Sequence, residues 1–421
     1  MLEIAVIRNQ AELVKQKLSV KNFRELHLVD DAVLVDEKRR HLQQQLDHNL
    51  NKQNLVAKEI GDLFKQGKKD EAENKKGESA VLKDESKQIE ALLVKAEDDL
   101  KDILVRLPNT PHASVPIGKT PEENEIVRQW GEIPLLTADA QAHWDLAKKY
   151  DLFDLELGVK ITGAGFPVYK GKGAKLQRSL VGFFLDQAIE AGYTEIIPPH
   201  MVNEASAFGT GQLPDKEGQM YYIGLDKLYM IPTAEVPVTN IVRDEIVSHL
   251  PLKFAAYSPC FRREAGSYGK DVRGLNRVHQ FEKVEIVQIA DPAKSYEVLE
   301  EMVQHVEGLL QKLNLPYRIL RLCGGDMSFS SALTYDFEVY SAAQKRWLEV
   351  SSVSNFETFQ SNRMKVRFRD EHKKTHLVHT LNGSALALPR IVASLIENNQ
   401  SAKGINIPEV LQRYTGFNII E

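Results

Sequence analysis

The side chains best suited to hold a charged, flat ligand are concentrated between Cys260 and Ile289. The segment opens with Phe261-Arg262-Arg263-Glu264 and runs through a glycine- and arginine-bearing stretch to Asn276-Arg277. It closes with Val278-His279-Gln280-Phe281-Glu282-Lys283-Val284-Glu285. Alternation along a strand would put Arg262 and Glu264 on one face, and Arg277, Phe281 and Glu285 on one face of a second strand. Arginine's planar fork matches phosphate oxygens. Phe281 offers a ring on which a purine could stack, and the carboxylates could receive a cationic amine. Taken singly, these residues also suit an ordinary surface hairpin laced with salt bridges. Taken as a set, they suit a nucleotide.

Three further clusters carry weaker signals. In Leu348-Glu349-Val350-Ser351-Ser352-Val353-Ser354-Asn355 an acid and several hydroxyls interrupt a strand-like run. This is either an edge strand facing water or a set of hard oxygens for Mg2+. In His379-Thr380-Leu381-Asn382-Gly383-Ser384-Ala385-Leu386-Ala387-Leu388-Pro389-Arg390 small residues lead into an apolar helix. Small residues let a ligand approach the backbone, whereas Arg390 alone reads as a solvated charge. Ile231-Pro232-Thr233-Ala234-Glu235 places a hydroxyl and a carboxylate at a helix start. The simpler reading there is an N-cap with an acidic first turn.

Composition divides the chain that must position these groups. Its 421 residues are 43% hydrophobic and 27% charged, with a formal net charge of −5. These values suit a soluble globular protein and exclude a collagen-like fibre, wholesale disorder or a globally basic nucleic-acid binder. No run of 18 apolar residues could span a bilayer. No secretory signal is visible at Met1-Leu2-Glu3-Ile4, and Cys260 and Cys323 are too few for a disulfide framework. The expected compartment is therefore a reducing cytoplasm, and no zinc is expected.

Before Pro108, the first proline, the only aromatics are Phe23 and Phe64. Leu28, Val35, Leu42, Asn49, Val56 and Leu63 recur at sevens, with Ala32, Leu46 and Ile60 alongside. Leu82, Ile89, Ala96 and Ile103 recur likewise, with Leu93, Leu100 and Leu107 as the companion stripe. Two coiled-coil seams separated by Gln66-Gly67-Lys68-Lys69-Asp70 predict an antiparallel helical hairpin over about 28–105. At ~1.5 Å per residue its legs would reach roughly 50–55 Å. Its charge does not identify a partner, although the tip, with Lys65, Lys68, Lys69, Lys75 and Lys76, is the more basic part. Beyond the proline-rich stretch at 108–121, helical patterns fall at 139–150, 173–192, 233–249, 292–314 and 385–398. Strand-like runs fall at 195–197, 221–223, 254–264, 278–290, 317–322, 332–340, 346–354 and 378–381. Consecutive strands between 317 and 381 predict an antiparallel sheet. Neither a Walker-type phosphate loop nor a Gly-x-Gly-x-x-Gly turn is present.

In this order the segments resemble the class II aminoacyl-tRNA synthetases, and specifically their bacterial-type seryl branch. Gly192-Tyr193-Thr194-Glu195-Ile196-Ile197-Pro198-Pro199 resembles motif 1, Phe261 to Glu285 motif 2, and Asn382 to Arg390 motif 3. Arg277 to Glu285, Thr233-Ala234-Glu235 and the preceding hairpin are the features similar to the seryl branch. The chain departs from many relatives at Ala385 and at Leu388-Pro389.

The resemblance implies an α+β fold in which an antiparallel sheet flanked by helices follows a long helical hairpin. It divides the chain into a tRNA-binding domain at 1–108 and a catalytic domain at 109–421. It also implies a homodimer that activates L-serine with ATP and Mg2+, then charges serine tRNA, whose long variable arm the hairpin grips across the dimer. Selenocysteine tRNA is a second possible acceptor.

The implied catalytic residues are Arg262, Glu264 and Arg390. Arg262 would hold the α-phosphate and the serine carboxylate, and Glu264 the adenine amino group. Arg277 and Arg390 would meet the outer phosphates, Phe281 would stack on adenine, and Arg263 and Val278 complete that ATP set. Glu349, Val350, Ser351 and Ser352 would also contact ATP, with Glu349 and Ser352 holding Mg2+. Serine would lie against Thr233, Ala234, Glu235, Arg262, Glu285, Asn382 and Ser384. The rival readings are an inactive paralogue acting as an RNA-binding scaffold, a ligase for a carrier protein, and another class II specificity.

Overall fold

The computed structural model describes residues 1–215, 217–265 and 273–421. Two compact units emerge: residues 2–19 with 23–108, and Met1 and residues 20–22 with 109–421.

In the first unit, α1 (Ile4–Asn9) and α2 (Ala11–Val20) precede two long helices, α3 (His27–Lys65) and α4 (Lys69–Leu104). Leu28, Ala32, Leu42, Asn49 and Val56 of α3 are buried at seam positions, as are Leu93, Ala96 and Leu100 of α4. Gly67 makes the turn between the legs at φ +76°, a conformation that costs a glycine little. The seam is not wholly apolar. Asn49 donates to Glu85 at 3.3 Å, and Gln53 donates to Ser86 Oγ at 2.6 Å and to the Leu82 carbonyl at 3.0 Å. Toward its end the stripe slips by one position, so that Leu104 is buried and Ile103 half-buried. At the base, buried Asp36 takes Arg8 at 2.7 Å and Arg39 at 2.8 Å. Burial pushes its carboxyl up, and the two guanidinium groups more than reverse that.

The second unit is built on eight strands: β1 (Glu125–Trp130), β2 (Thr194–Glu195), β3 (Leu252–Phe261), β4 (Gln280–Ala290), β5 (Tyr317–Arg321), β6 (Leu333–Ser341), β7 (Arg346–Asn355) and β8 (His379–Ala387). Their spatial order is β1-β5-β6-β7-β8-β4-β3-β2. Every pairing is antiparallel except β2 with β3.

Helices α5 (His143–Tyr150), α6 (Gly171–Glu190), α7 (Ser295–Lys312) and α8 (Leu388–Asn398) accompany the sheet. Phe183 and Phe184 of α6, Met302 and Val306 of α7 and Ile391 and Leu395 of α8 share one apolar core with Val284 and Ile286 of β4. Val287 and Ile289 belong to a second cluster with Met364 and Val378. With both faces covered, β4 is buried over most of its length, the polar Lys283, Glu285 and Gln288 included.

Several sequence expectations change in extent. The helix expected at 233–249 is confined to Glu235–Thr239 and a 3-10 turn, and Asp244 at φ +64° turns the chain out of helical geometry. The strand expected at 254–264 stops at Phe261. There the Arg263 N–H turns to the Gln219 carbonyl, and Glu264 sits at φ +49°. The run at 378–381 instead extends to Ala387, because β4 and β7 supply ladder partners to a small-residue segment that reads locally as a loop.

Candidate active site

The β4 strand sets the axis of the site. Its alternation puts Phe281, Lys283 and Glu285 on one face. Arg262, just past β3, lays its guanidinium over the Phe281 ring at 5.2 Å. Ser384 of β8 stands directly opposite Glu285, and Asn382 opposite Val287.

Around Glu285 the polar groups are buried and closely coupled. The Thr233 hydroxyl donates to Glu285 Oε2 at 3.1 Å and accepts the Glu235 N–H at 3.2 Å. Lys283 forms a buried ion pair with Glu285. Glu235 turns inward, where Gln360 donates to it at 2.7 Å. Thr380 fixes Gln360 in turn, donating to its Oε1 at 2.6 Å. Burial, reinforced by the Glu285 charge, pushes the Glu235 carboxyl up to about 7 against the influence of Gln360 and Lys283. Asn382 Nδ2 is buried without a hydrogen-bond partner. Ala234 is fully buried. The simple N-cap reading therefore accounts for Thr233 in part and not for Glu235.

At the other end, Arg390 lies in the first turn of α8, which Pro389 helps to open. Its Nε donates to the Asn276 carbonyl at 3.0 Å and its Nη1 to the Glu349 carbonyl at 2.7 Å. The Glu349 carboxylate lies 3.7 Å from the same Nη1. Arg277 pairs with Glu264 at 2.5 Å. The expectation that strand alternation aligns Glu264 with Arg262 is thus corrected, since Glu264 is beyond the strand and turned to Arg277. Arg263 is exposed and Val278 buried. The glycine-bearing stretch at 266–272 lies outside the described residues.

Within Glu349–Ser352 the side chains divide. Val350 belongs to the apolar core, and Ser351 donates to the Ser384 carbonyl at 2.5 Å. Glu349 and Ser352 remain as oxygen donors, and Asp336 pairs across from Ser352 on β6. Burial, with the Glu349 charge added, pushes the Asp336 carboxyl well above the carboxylate range, and its Oδ1 has no hydrogen-bond partner. No cluster of three His, Cys, Asp or Glu forms an all-protein metal cage among the described residues. A few oxygens beside this unpartnered Asp336 Oδ1 suit a hard cation that also takes ligand phosphates.

Lys283, Gln360, Thr380 and Asp336 are additions to the residues picked out in the sequence. Lys283 was legible, standing two positions from both Phe281 and Glu285. Gln360 carries no local signal.

The comparisons with known proteins agree along the whole chain. The family described as seryl-tRNA synthetase N-terminal domain matches residues 1–111, and the tRNA synthetase class II core domain (G, H, P, S and T) matches 223–399. A serine–tRNA ligase of Salinibacter ruber is 50% identical, over 99% of this chain and 98% of that one. The crystal structure of seryl-tRNA synthetase from Pyrococcus horikoshii complexed with ATP superposes with a TM-score of 0.93 at 33% identity, covering 100% of this chain and 99% of that one. The cytoplasmic serine-tRNA ligase of Naegleria fowleri in complex with AMP gives a TM-score of 0.88 at 26% identity with the same coverage. With this likeness spanning both units, the chain belongs to the seryl-tRNA synthetase family.

Proposed function

We propose that the chain is a serine–tRNA ligase. The serine carboxylate attacks the α-phosphate of ATP, forming seryl-adenylate and releasing pyrophosphate. The terminal adenosine of serine tRNA then attacks the seryl carbonyl, and AMP leaves. The observation that carries this reading is the buried Thr233–Glu285–Glu235 cluster beside the Arg262–Phe281 stack. In this reading, hydroxyl and amine recognition would sit next to a guanidinium and an aromatic ring.

No side chain need act as nucleophile, because the substrate carboxylate already is one. Catalysis is positioning and charge stabilisation at phosphorus. Arg262 would bridge the α-phosphate and the serine carboxylate. Phe281 and Arg390 would sandwich adenine, with Glu264 at its amino group and Arg263 and Val278 alongside. Arg277 and Arg390 would take the outer phosphates. Thr233, with Ala234 behind it, and Glu235 would take the serine ammonium, and Glu285, Asn382 and Ser384 would surround its hydroxyl. Alanine would leave these buried groups unpaired, which discriminates more strongly than a wall against threonine's methyl. Glu349 and Ser352 would hold Mg2+, which neutralises phosphate charge when bound. Val350 and Ser351 would meet ATP through their backbone.

Residues 1–108 would form the tRNA-binding domain, with the arm on the long variable loop, and 109–421 the catalytic domain. The homodimer reading is supported by the exposed apolar Ile197 next to edge strand β2. The described helices include none able to cross a membrane, and we assign the enzyme to the cytoplasm. Selenocysteine tRNA would be a further acceptor.

Retention of Arg262, Glu285, Glu349 and Arg390 argues against an inactive paralogue, and the arm argues against a carrier-protein ligase. The test is ATP–pyrophosphate exchange with each of the twenty amino acids. Exchange should depend on serine. Exchange driven by a different amino acid would remove the specificity assignment.

A further inference from the structure

His143 opens α5 and is fully buried, far in sequence from every motif described above. Its Nε2 accepts the Leu275 backbone N–H at 2.8 Å. A ring nitrogen that accepts must be unprotonated, so the ring proton sits on Nδ1 and is donated to Glu397 Oε1 at 2.6 Å. The same carboxylate oxygen takes the His143 backbone N–H at 2.8 Å and Gln344 Nε2 at 3.0 Å, while Ser341 donates to the other oxygen. All three hydrogen bonds at Glu397 Oε1 therefore serve to fix His143 and its neighbour Gln344.

That anchored imidazole grips the base of the motif 2 loop. Gln344 Oε1 accepts from the Asn276 amide at 3.0 Å, and Trp144 lies under the Arg273 guanidinium at 4.4 Å. Gly274 passes so close that a Cβ there would lie 2.1 Å from His143 Nε2. The next links reach the reacting region. The Asn276 carbonyl holds Arg390 Nε, and Arg277 follows Asn276 directly. Arg390 and Glu397 ride on the same helix, α8.

The geometry points to His143, oriented by Glu397, as a positioning residue that fixes Leu275–Arg277 and thereby aims Arg277 and Arg390 at the phosphates of ATP. It touches no substrate. This assignment rests on the serine–tRNA ligase reading. It adds that the buried relay governs the ATP end of the site and leaves the serine end alone.

The test compares two isolated substitutions in the full-length protein. His143→Gln can still offer an acceptor near the Nε2 position, whereas His143→Asn reaches only the Nδ1 position. The wild-type protein must first show serine-dependent exchange, and its absence would fault the underlying reading and not this one. Given that activity, His143→Asn should raise the KM for ATP about tenfold, the worth of one well-placed hydrogen bond. The KM for serine should change less than about twofold, and His143→Gln should recover most of the loss. Amide exchange in the peptide covering 273–277 should quicken in His143→Asn and not in His143→Gln.

Combined with Arg390→Ala, the His143→Asn penalty on ATP should shrink, because the arginine it aims is gone. Equal losses for ATP and serine, or a full penalty surviving in the double variant, would overturn the assignment. So would faster exchange at 273–277 with an unchanged KM for ATP. If His143→Asn does not fold, Glu397→Gln, which keeps an acceptor oxygen and the side-chain volume, gives the same ATP-to-serine split or refutes it.

Discussion

The helical arm and strand β4 both bury polar side chains, with opposite chemistry. In the arm, Asn49, Gln53 and Ser86 are neutral, and their bonds to one another, to Glu85 and to the Leu82 carbonyl come from the facing helix. Such a layer weakens a seam slightly and fixes its register. Around β4 the groups are charged and crowded. Glu235 and Glu285 raise each other's cost, and Lys283 offsets part of it. A fold alone has no use for two buried carboxylates side by side, whereas a cationic ligand does. The comparison separates polarity that specifies structure from polarity held for a substrate.

The largest effect should come from cutting the two apart. Replacing residues 35–98 by a short turn should leave serine-dependent exchange near the wild-type level and abolish charging of serine tRNA. Charging that survives this deletion would show that the arm is not the tRNA contact. Next, Glu285→Ala and Arg262→Ala should each lower exchange by about 10³-fold, the usual scale for losing a preorganised charge. Unchanged circular dichroism would locate the loss at the site. Retained activity in both would remove the motif 2 assignment.

Smaller effects sharpen the contrast. Glu235 titrates near 7 when folded and near 4.5 when unfolded. Between those values the native state binds more protons, so stability falls as pH rises through the window. Glu235→Gln should therefore melt higher than the wild type at pH 8, the difference vanishing near pH 4. For binding the sign reverses. Protonation removes a charge that meets the serine ammonium, so the KM for serine should climb as pH drops below 7, and Glu235→Gln should show a raised, flatter profile. A wild-type KM for serine constant from pH 6 to 8 would discount this role. The smallest change is Gln53→Leu, which leaves Ser86 and the Leu82 carbonyl short of a donor. It should lower stability by about 1 kcal/mol without altering exchange.

The same contrast explains what could be read from the amino-acid order. The arm's seam was visible because helix periodicity is local, and even Asn49 fell into the sevens. Its slip at Leu104 was not, since a straight helix drifts against a strict heptad. In the sheet, alternation identified Phe281 and Glu285, and the family resemblance gathered Thr233, Ser384 and Arg390. Glu264 was misaligned because a positive φ ends the alternation, which residue types do not announce. Gln360 and His143 gave no signal, because what makes them matter is a neighbour more than a hundred residues away.

The amide rung at Asn49 and Gln53 also limits how such an arm can change length. Adding one heptad to both legs on the Gly67 side keeps each amide facing its acceptor, so the probe lengthens by about 10 Å. Adding it to one leg alone leaves the new residues with no facing helix, so they loop out at the tip and the probe gains no reach. Descendants of this chain can extend their reach only in matched steps.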